Sequence, residues 1–489
     1  MNKNDTRSQT NTAPAAGARW AMAALCLSML MPSLDTSIAN AGLPHLAASL
    51  DAPFGSAQWI ILAYLLAIAS LIVSVGRLGD LFGTRRLLLV GIGLFTAASL
   101  LCGAAPLLWF LAAARGLQGI GAAIMLSLTI AMVRQSVPSE KLGSSIGLLG
   151  TMSAIGTSLG PSLGGVLIAS FGWRSIFLVN VPVGIVNFLL ARRFLSVDVK
   201  TTQPAAARFD IAGTVVLAVT LAAYALALTA GNGSFGTLNL ILLFVGLAGA
   251  AVFLFIETRV GSPLLDLSLF RRGELASGLA ASSLVSTVMM ATLVVGPFYL
   301  VRGLGLGTLA AGAALSAGPI FAALSGVPSG KLVDRYGSGT MTLVGLAGIG
   351  AGAVTIALLP MEAGIAGYIL PVVVMTSSYA LFQAANNTSM MRSAAEDQRG
   401  VISGLLSLSR NLGLMNGAAL MGAVFAAVSA SAGMIYEPAM AASMGMRAAF
   451  GIAVLLTLLA AAAIAAGRAY SARTSRRRTQ ITDAVACEA

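Results

Sequence analysis

The chain has 489 residues, of which 57% are hydrophobic and only 9% charged. A soluble domain carries about 25% charged residues to wet its surface, so composition excludes a water-soluble globule and makes lipid the main solvent. The formal net charge of +12 lies in short polar segments between apolar runs. It reads as membrane topology and calls for no nucleic acid.

In chain order, fourteen apolar runs are long enough to cross a bilayer, each needing roughly 20 residues. They cover 20–44, 58–76, 87–105, 107–133, 143–170, 175–191, 211–231, 236–256, 276–301, 308–330, 340–360, 364–386, 400–430 and 446–467. The alternating ten-residue segments of a β-barrel are missing, so the fold class is an all-α integral membrane protein. With a cytoplasmic N-terminus, every Lys and Arg lies on the cytoplasmic side except Arg174, Arg302 and Arg447 in outer loops and Arg115 and Arg410 within spans. That asymmetry predicts both termini in the cytoplasm, and the membrane is expected to be a bacterial inner membrane. The first residues are polar and not a cleavable signal, so the first span is expected to stay as an anchor. Three cysteines give no disulfide framework. The single histidine, His45, is expected as a solvated residue at the outer end of span 1. "RTSRRRTQ" (473–480) reads as a solvated tail at the inner leaflet.

A repeat organises these spans. "GRLGDLFGTRRLLLVG" (76–91) returns as "GKLVDRYGSGTMTLVG" (330–345), and "GLLGTMSAIGTSLG" (147–160) returns as "GLLSLSRNLGLMNG" (404–417). An offset near 255 residues is about eight spans with their loops, so helices 2–3 match 10–11 and helix 5 matches helix 13. Two pseudo-symmetric six-helix bundles of parallel orientation follow, with a pair of helices inserted between them. The expected units are a tail at 1–18, a bundle at 19–195, linker and inserted helices at 196–260, a second bundle at 261–467 and a tail at 468–489.

With "LDTSIANAGLP" (34–44), "RGLQGIGAA" (115–123), "GTSLGPSLGG" (156–165) and "GWRSIFLVNVPVG" (172–184), the chain resembles the major facilitator superfamily, specifically its fourteen-span drug:proton antiporters. The resemblance implies alternating access, small-molecule substrates, protons and lipid as partners, and no cofactor beyond the proton gradient. A monomer is expected. No Walker loop, zinc spacing or nucleophile–base set is visible, so neither a metal site nor an enzyme is expected.

Asp35 is the carboxylate placed inside an apolar span, where a charge costs on the order of 3 kcal/mol. At 1.5 Å per residue it lies about 5 Å to the outer side of the midplane, and Arg115 on helix 4 about 8 Å to the same side. They can pair, and burial opposed by a cation makes a group able to load and release a proton. Arg410 falls about 8 Å to the inner side, too deep to reach Asp35. A static pair fixing helix 1 to helix 4 is the plainer alternative. Pro32, one turn earlier, can bend helix 1.

The charged turn offers Gly76, Arg77, Asp80, Gly83, Arg85 and Arg86, and its repeat Gly330, Asp334, Arg335 and Gly337. The resemblance implies a conformational gate at these turns, weaker in the second copy where Gly339 and Thr340 replace the arginines. Glycines are expected to allow tight backbone approach. In helix 5, Gly156, Gly160 and Gly164 share one face. With Pro161 and Gly165 they form what the resemblance implies is the antiporter motif, a tight seam limiting proton leak. Candidate pocket residues are Tyr64, Gln118, Met289, Met290, Phe298, Tyr299, Gln383, Asn386 and Asn387, an adaptable apolar surface with few polar anchors.

The function expected is proton-driven export of amphipathic, cationic or neutral toxic compounds. The alternatives are a dedicated exporter of one endogenous metabolite, a proton-coupled importer on the same scaffold, or a sensor that lost transport. The last would need neither Asp35 nor Arg115 in the bilayer.

Overall fold

A computed structural model describes residues 15–136, 142–196, 211–230, 236–259, 273–392 and 399–488. Its described elements are all helical. The first six long helices are α1 Ala15–Ser49, α2 Trp59–Phe82, α3 Thr84–Gly103, α4 Leu108–Ser136, α5 Leu142–Phe171 and α6 Asn180–Phe194. Two more follow, α7 Ile211–Thr229 and α8 Thr237–Arg259. The last six are α9 Gly273–Phe298, α10 Thr308–Tyr336, α11 Ser338–Ala357, α12 Gly364–Arg392, α13 Arg399–Gly433 and α14 Pro438–Glu488. These provide the fourteen spans expected from hydropathy. Most of the expected linker, residues 197–210, lies outside the described residues.

Helices run past the apolar windows that announced them. Hydropathy stops α2 at residue 76 and starts α3 at 87, yet one residue, Gly83, separates them. Its φ of 92° is matched by Gly337 at 84°, which alone separates α10 from α11. The charged turn is therefore helix broken by one left-handed glycine. Charge ends hydrocarbon burial but not backbone hydrogen bonding. Tight approach at Gly76 and Gly330 does not occur, because a Cβ at either would meet nothing within 4 Å. The last helix likewise continues through the basic tail to Glu488, where Ala and Arg favour helix.

Packing repeats with an eight-helix step. In the first bundle α1 packs on α5, α4 and α6, α2 on α4, and α3 on α4 and α6. In the second, α9 packs on α13, α12 and α14, α10 on α12, and α11 on α12 and α14. The halves meet at two equivalent seams, α5 with α10 and α2 with α13, and where α1 packs on α9. At one, Gln58 Nε2 donates to Ala418 O at 2.7 Å. At the other, Gly312 stands where Gln58 would and Pro161 where Ala418 would. A Cβ on Gly312 would lie 2.5 Å from Pro161 O. The pair α7–α8 lies outside this frame: α7 binds α2 through Ser74 with Thr214 at 2.8 Å and Trp59 Nε1 with Thr229 at 3.1 Å, and α13 through Tyr224 and Asn416.

Two of the outer-loop arginines that break the charge asymmetry have structural partners. Arg174 Nη2 donates to Ala105 O just past α3 at 3.2 Å, and Arg447 donates to Leu359 O just past α11 at 3.0 and 2.7 Å. These repeat-equivalent positions each supply a cation to carbonyls at a helix C-terminus. His45 is half-buried, with Nε2 2.9 Å from Thr308 Oγ1 of α10. It is a contact between halves and not the solvated residue expected from its place in the chain.

Close approach within a bundle is specific to position. A Cβ at Gly121 of α4 would sit 2.7 Å from Phe95 N of α3, whereas one at Gly116 would meet nothing. Gly121→Ala is expected to lower stability by about 1–3 kcal/mol through overpacking, and Gly116→Ala to leave it unchanged. Thermal denaturation in identical micelles checks the pair; equal melting temperatures would contradict the close contact.

Candidate functional site

The site is a polar knot where α1, α4, α6 and α3 converge. Asp35 and Arg115 are each 1% exposed, Gln118 0% and Asn180 1%. Arg115 Nη1 donates to Asp35 Oδ2. Gln118 Nε2 donates to Asp35 Oδ1 at 2.9 Å, and Asn180 Nδ2 to the same oxygen at 2.8 Å. Arg115 Nε donates to Ile60 O at 3.0 Å, and Nη1 also reaches Gln118 Oε1 at 2.7 Å. The guanidinium carbon lies 4.2 Å from the Tyr64 ring centroid and 5.7 Å from that of Phe177. Gln118 Nε2 also donates to Ser99 Oγ at 2.8 Å, which ties α3 to the knot.

Local sequence explains the convergence. Small residues let the helices close around long polar ones: a Cβ at Gly119 would meet Tyr64 O at 2.5 Å, so α4 lies against α2 with Arg115 one turn away. Pro32 sits one turn before Asp35, and its carbonyl accepts from Tyr64 OH at 3.3 Å and Thr36 Oγ1 at 2.8 Å. Withdrawing both charges from water costs several kcal/mol per ion, recovered only when geometry is good and remaining donors are satisfied. Here the carboxylate has three donors. Every partner approaches Asp35 as a donor, so a neutral carboxyl, whose proton needs an acceptor, requires at least one of them to withdraw.

The arrangement differs from a simple pair beside a separate pocket. Gln118 and Tyr64, expected to line a substrate pocket, belong to the Asp35–Arg115 knot. Asn180, Ser99 and Phe177 join it without having stood out as candidates in the sequence. Asn180 had a signal: an amide in an apolar run of α6 is costly unless paired.

The glycine face of α5 divides in two. Gly156, Gly160 and Gly164 face α1 within the bundle, a Cβ at Gly156 falling 2.7 Å from Leu30 O. Gly165 faces α10, 3.1 Å from Thr308 O by the same measure, and Pro161 O faces Gly312. The motif thus serves an intrabundle seam and the junction between halves together. The second bundle repeats the first part, with Gly413 and Gly417 against α9.

Among the remaining candidates, Phe298 and Tyr299 are fully buried. Phe298 forms an aromatic trio with Phe54 and Phe425, at centroid distances of 4.6 and 6.0 Å, and Phe54 lies 5.3 Å from Phe425. Met289 and Met290 are buried in α9, and a Cβ at Gly417 would abut Met290. Asn386 donates to Gly278 O of α9 at 3.1 Å, a helix–helix contact. Gln383 is half-buried and Asn387 exposed. At the turns, Arg85 bonds Arg192 O, Arg86 is exposed, and Asp334 and Arg335 are exposed. The side chains of Arg77 and Asp80 lie outside the described set.

Side-chain contacts between the halves, among the described residues, fall towards one end of the bundle, here the Phe54 end. They are the aromatic trio, His45 with Thr308, Gln58 with Ala418, and Ser162 with Ser316 at 2.5 Å.

The family model described as Major Facilitator Superfamily matches residues 25–418. The chain is 31% identical over 414 residues to "Multidrug resistance protein Stp" of Mycobacterium tuberculosis (strain CDC 1551 / Oshkosh), covering 82% of this chain and 74% of that one. It is 29% identical over 405 residues to "Riboflavin transporter RibZ" of Clostridioides difficile (strain 630), covering 82% and 87%. A solved bacterial homologue of the human lysosomal transporter Spinster, described as inward-facing and unoccupied, superposes with a TM-score of 0.68 at 14% identity, covering 93% and 98%. Fourteen apolar helices in two eight-step-related bundles share that fold, and the family match extends over most of the length. The chain belongs to the major facilitator superfamily and is an integral membrane transporter.

Proposed function

We propose that this transporter exports amphipathic compounds in exchange for protons by alternating access, from the plasma membrane, with both termini in the cytoplasm. The observation that carries this reading is the buried Asp35, whose oxygens are fully engaged by Arg115, Gln118 and Asn180. Loading a proton there forces a partner away and loosens α1 from α4 or α6. A proton can thereby change helix packing and not merely occupy a site.

With that orientation the Phe54 end faces outward, and the contacts between the halves described there hold the outer side closed. The turns at Gly83 and Gly337 lie at the opposite, cytoplasmic end, where they would meet when the outer end opens, as a gate requires. Close packing of Gly156, Gly160 and Gly164 on α1 makes a tight seam between α1 and α5, which suits a proton-tight exchanger. Relatives named for multidrug resistance support export of varied compounds. A relative named for riboflavin favours the second reading, a dedicated carrier of one metabolite.

The test is dye and drug flux in proteoliposomes with an imposed pH gradient. Accumulation against the compound's own gradient, collapsed by a proton ionophore, is the expected result. Flux indifferent to the pH gradient would dismiss proton coupling under both readings.

A further inference from the structure

Arg410 is the second arginine within a span, and it takes no part in the knot. It is exposed although it lies well inside α13, and no described residue pairs with it. An unpaired cation facing lipid at this depth is costly, so the direction it faces decides its meaning.

The contacts of α13 settle that direction. Gly413 and Gly417 meet Ser283 and Thr287 of α9, and Ala418 and Gly422 meet Gln58 of α2. At 100° per residue, Arg410 is about 60° from Gly413 on one side and about 80° from Ala418 on the other. It projects between α9 and α2. Asn416, which bonds the outer helix α7 through Tyr224, is about 120° away from Arg410, beyond Gly413 and on the far side from α2. Neighbours therefore cover α13 from α2 round the outside to α9. The strip Leu406, Arg410 and Leu414, four residues apart and less buried than Ser409 or Gly413, opens on the cleft between the halves.

Asp35 offers a substrate nothing, because Oδ2 is taken by Arg115 and Oδ1 by Gln118 and Asn180. Among the described residues the cleft therefore presents a positive charge without an available negative one. The half-buried Ser33 and Ser153 hydroxyls, 2.6 Å apart across α1 and α5, supply neutral polarity at the repeat-equivalent place.

We infer that Arg410 binds the anionic group of an amphipathic substrate, a carboxylate, sulfonate or phosphate on an apolar body, so that the cleft selects anions over cations. This rests on the export reading and names its substrate class, in place of the cationic or neutral compounds expected from the sequence. A guanidinium flanked by leucines, in a cleft with low-dielectric walls, suits such a head and tail. Exchange of one anion outward for one proton inward moves two charges, so the interior-negative potential assists it.

The test measures binding of two dyes with one ring skeleton to the purified full-length protein in uncharged micelles. They are the anion 1-anilinonaphthalene-8-sulfonate and the neutral N-phenyl-1-naphthylamine. Arg410→Gln is expected to weaken the sulfonate by about tenfold, the scale of one charged hydrogen bond. Arg410→Lys is expected to retain most affinity, and the neutral dye to bind all three proteins alike. A sulfonate Kd unchanged in Arg410→Gln, or both dyes weakened equally, would overturn the anion site. So would displacement of the sulfonate by added phosphatidylglycerol from wild type but not Arg410→Gln, which would assign the arginine to lipid. Because binding is read without a pH gradient, failure here is distinct from failure of proton-driven flux.

Discussion

Asp35→Asn is expected to abolish uphill, pH-gradient-driven accumulation, by two orders of magnitude or more, while leaving downhill exchange of labelled for unlabelled substrate. The asparagine keeps one carbonyl oxygen for Gln118 Nε2 and Asn180 Nδ2, whose distances to Asp35 Oδ1 are 2.9 and 2.8 Å. Its amide nitrogen then confronts Arg115 Nη1 as donor against donor, and turning the amide over only moves the clash to the other two. The variant thus imitates the protonated state permanently: the helices can move, but no proton can be released. Flux in proteoliposomes with and without a pH gradient separates the cases. Uphill transport surviving in Asp35→Asn would reduce the knot to a static brace.

The second large effect concerns stability. Arg115→Ala is expected to destabilise the protein by about 3–5 kcal/mol, because it leaves a carboxylate buried without its cation. It also removes the donor to Ile60 O and the cation over the Tyr64 ring. Replacing both charges together, Asp35→Leu with Arg115→Met, is expected to recover most of that loss, since apolar isosteres of a buried pair are often neutral or better. Uphill transport should stay absent. Thermal denaturation of the two single variants and the double, beside their flux, checks this. A double variant no more stable than Arg115→Ala would mean that the surrounding polar groups and not the charge pair hold the four helices. Stability and transport parting company in the double variant is the signature of a charge kept for function.

Much of the site was legible because lipid makes rare residues conspicuous. An acid and two arginines inside apolar spans, in a chain with 9% charged residues, stand out from the sequence alone. Depth arithmetic was enough to bring Asp35 level with Arg115, since rise per residue is the same in every helix. It also kept Arg410 apart. Depth does not tell which way a side chain points, and so Gln118 and Tyr64 were assigned to a pocket when they enclose the pair. Asn180 lies inside a recognisable motif, and an amide in an apolar span asks for a partner. The sequence does not name that partner, which is 145 residues away.

By itself the sequence determined that the chain lives in lipid, that it crosses fourteen times, and that its two bundles are copies separated by an inserted pair. Those properties are local or periodic: hydropathy acts over one span, and the repeat preserves register from Gly83 to Gly337. Only the tertiary structure decided which faces meet. It split the glycines of α5 between α1 and α10, made His45 a bridge to Thr308, carried the helices through the charged turns, and turned Arg410 towards the cleft. The physical reason is that lipid rewards every apolar face alike. Which side of a membrane helix packs, and which looks into water, is settled by the shape of its neighbours and not by its own hydrophobicity.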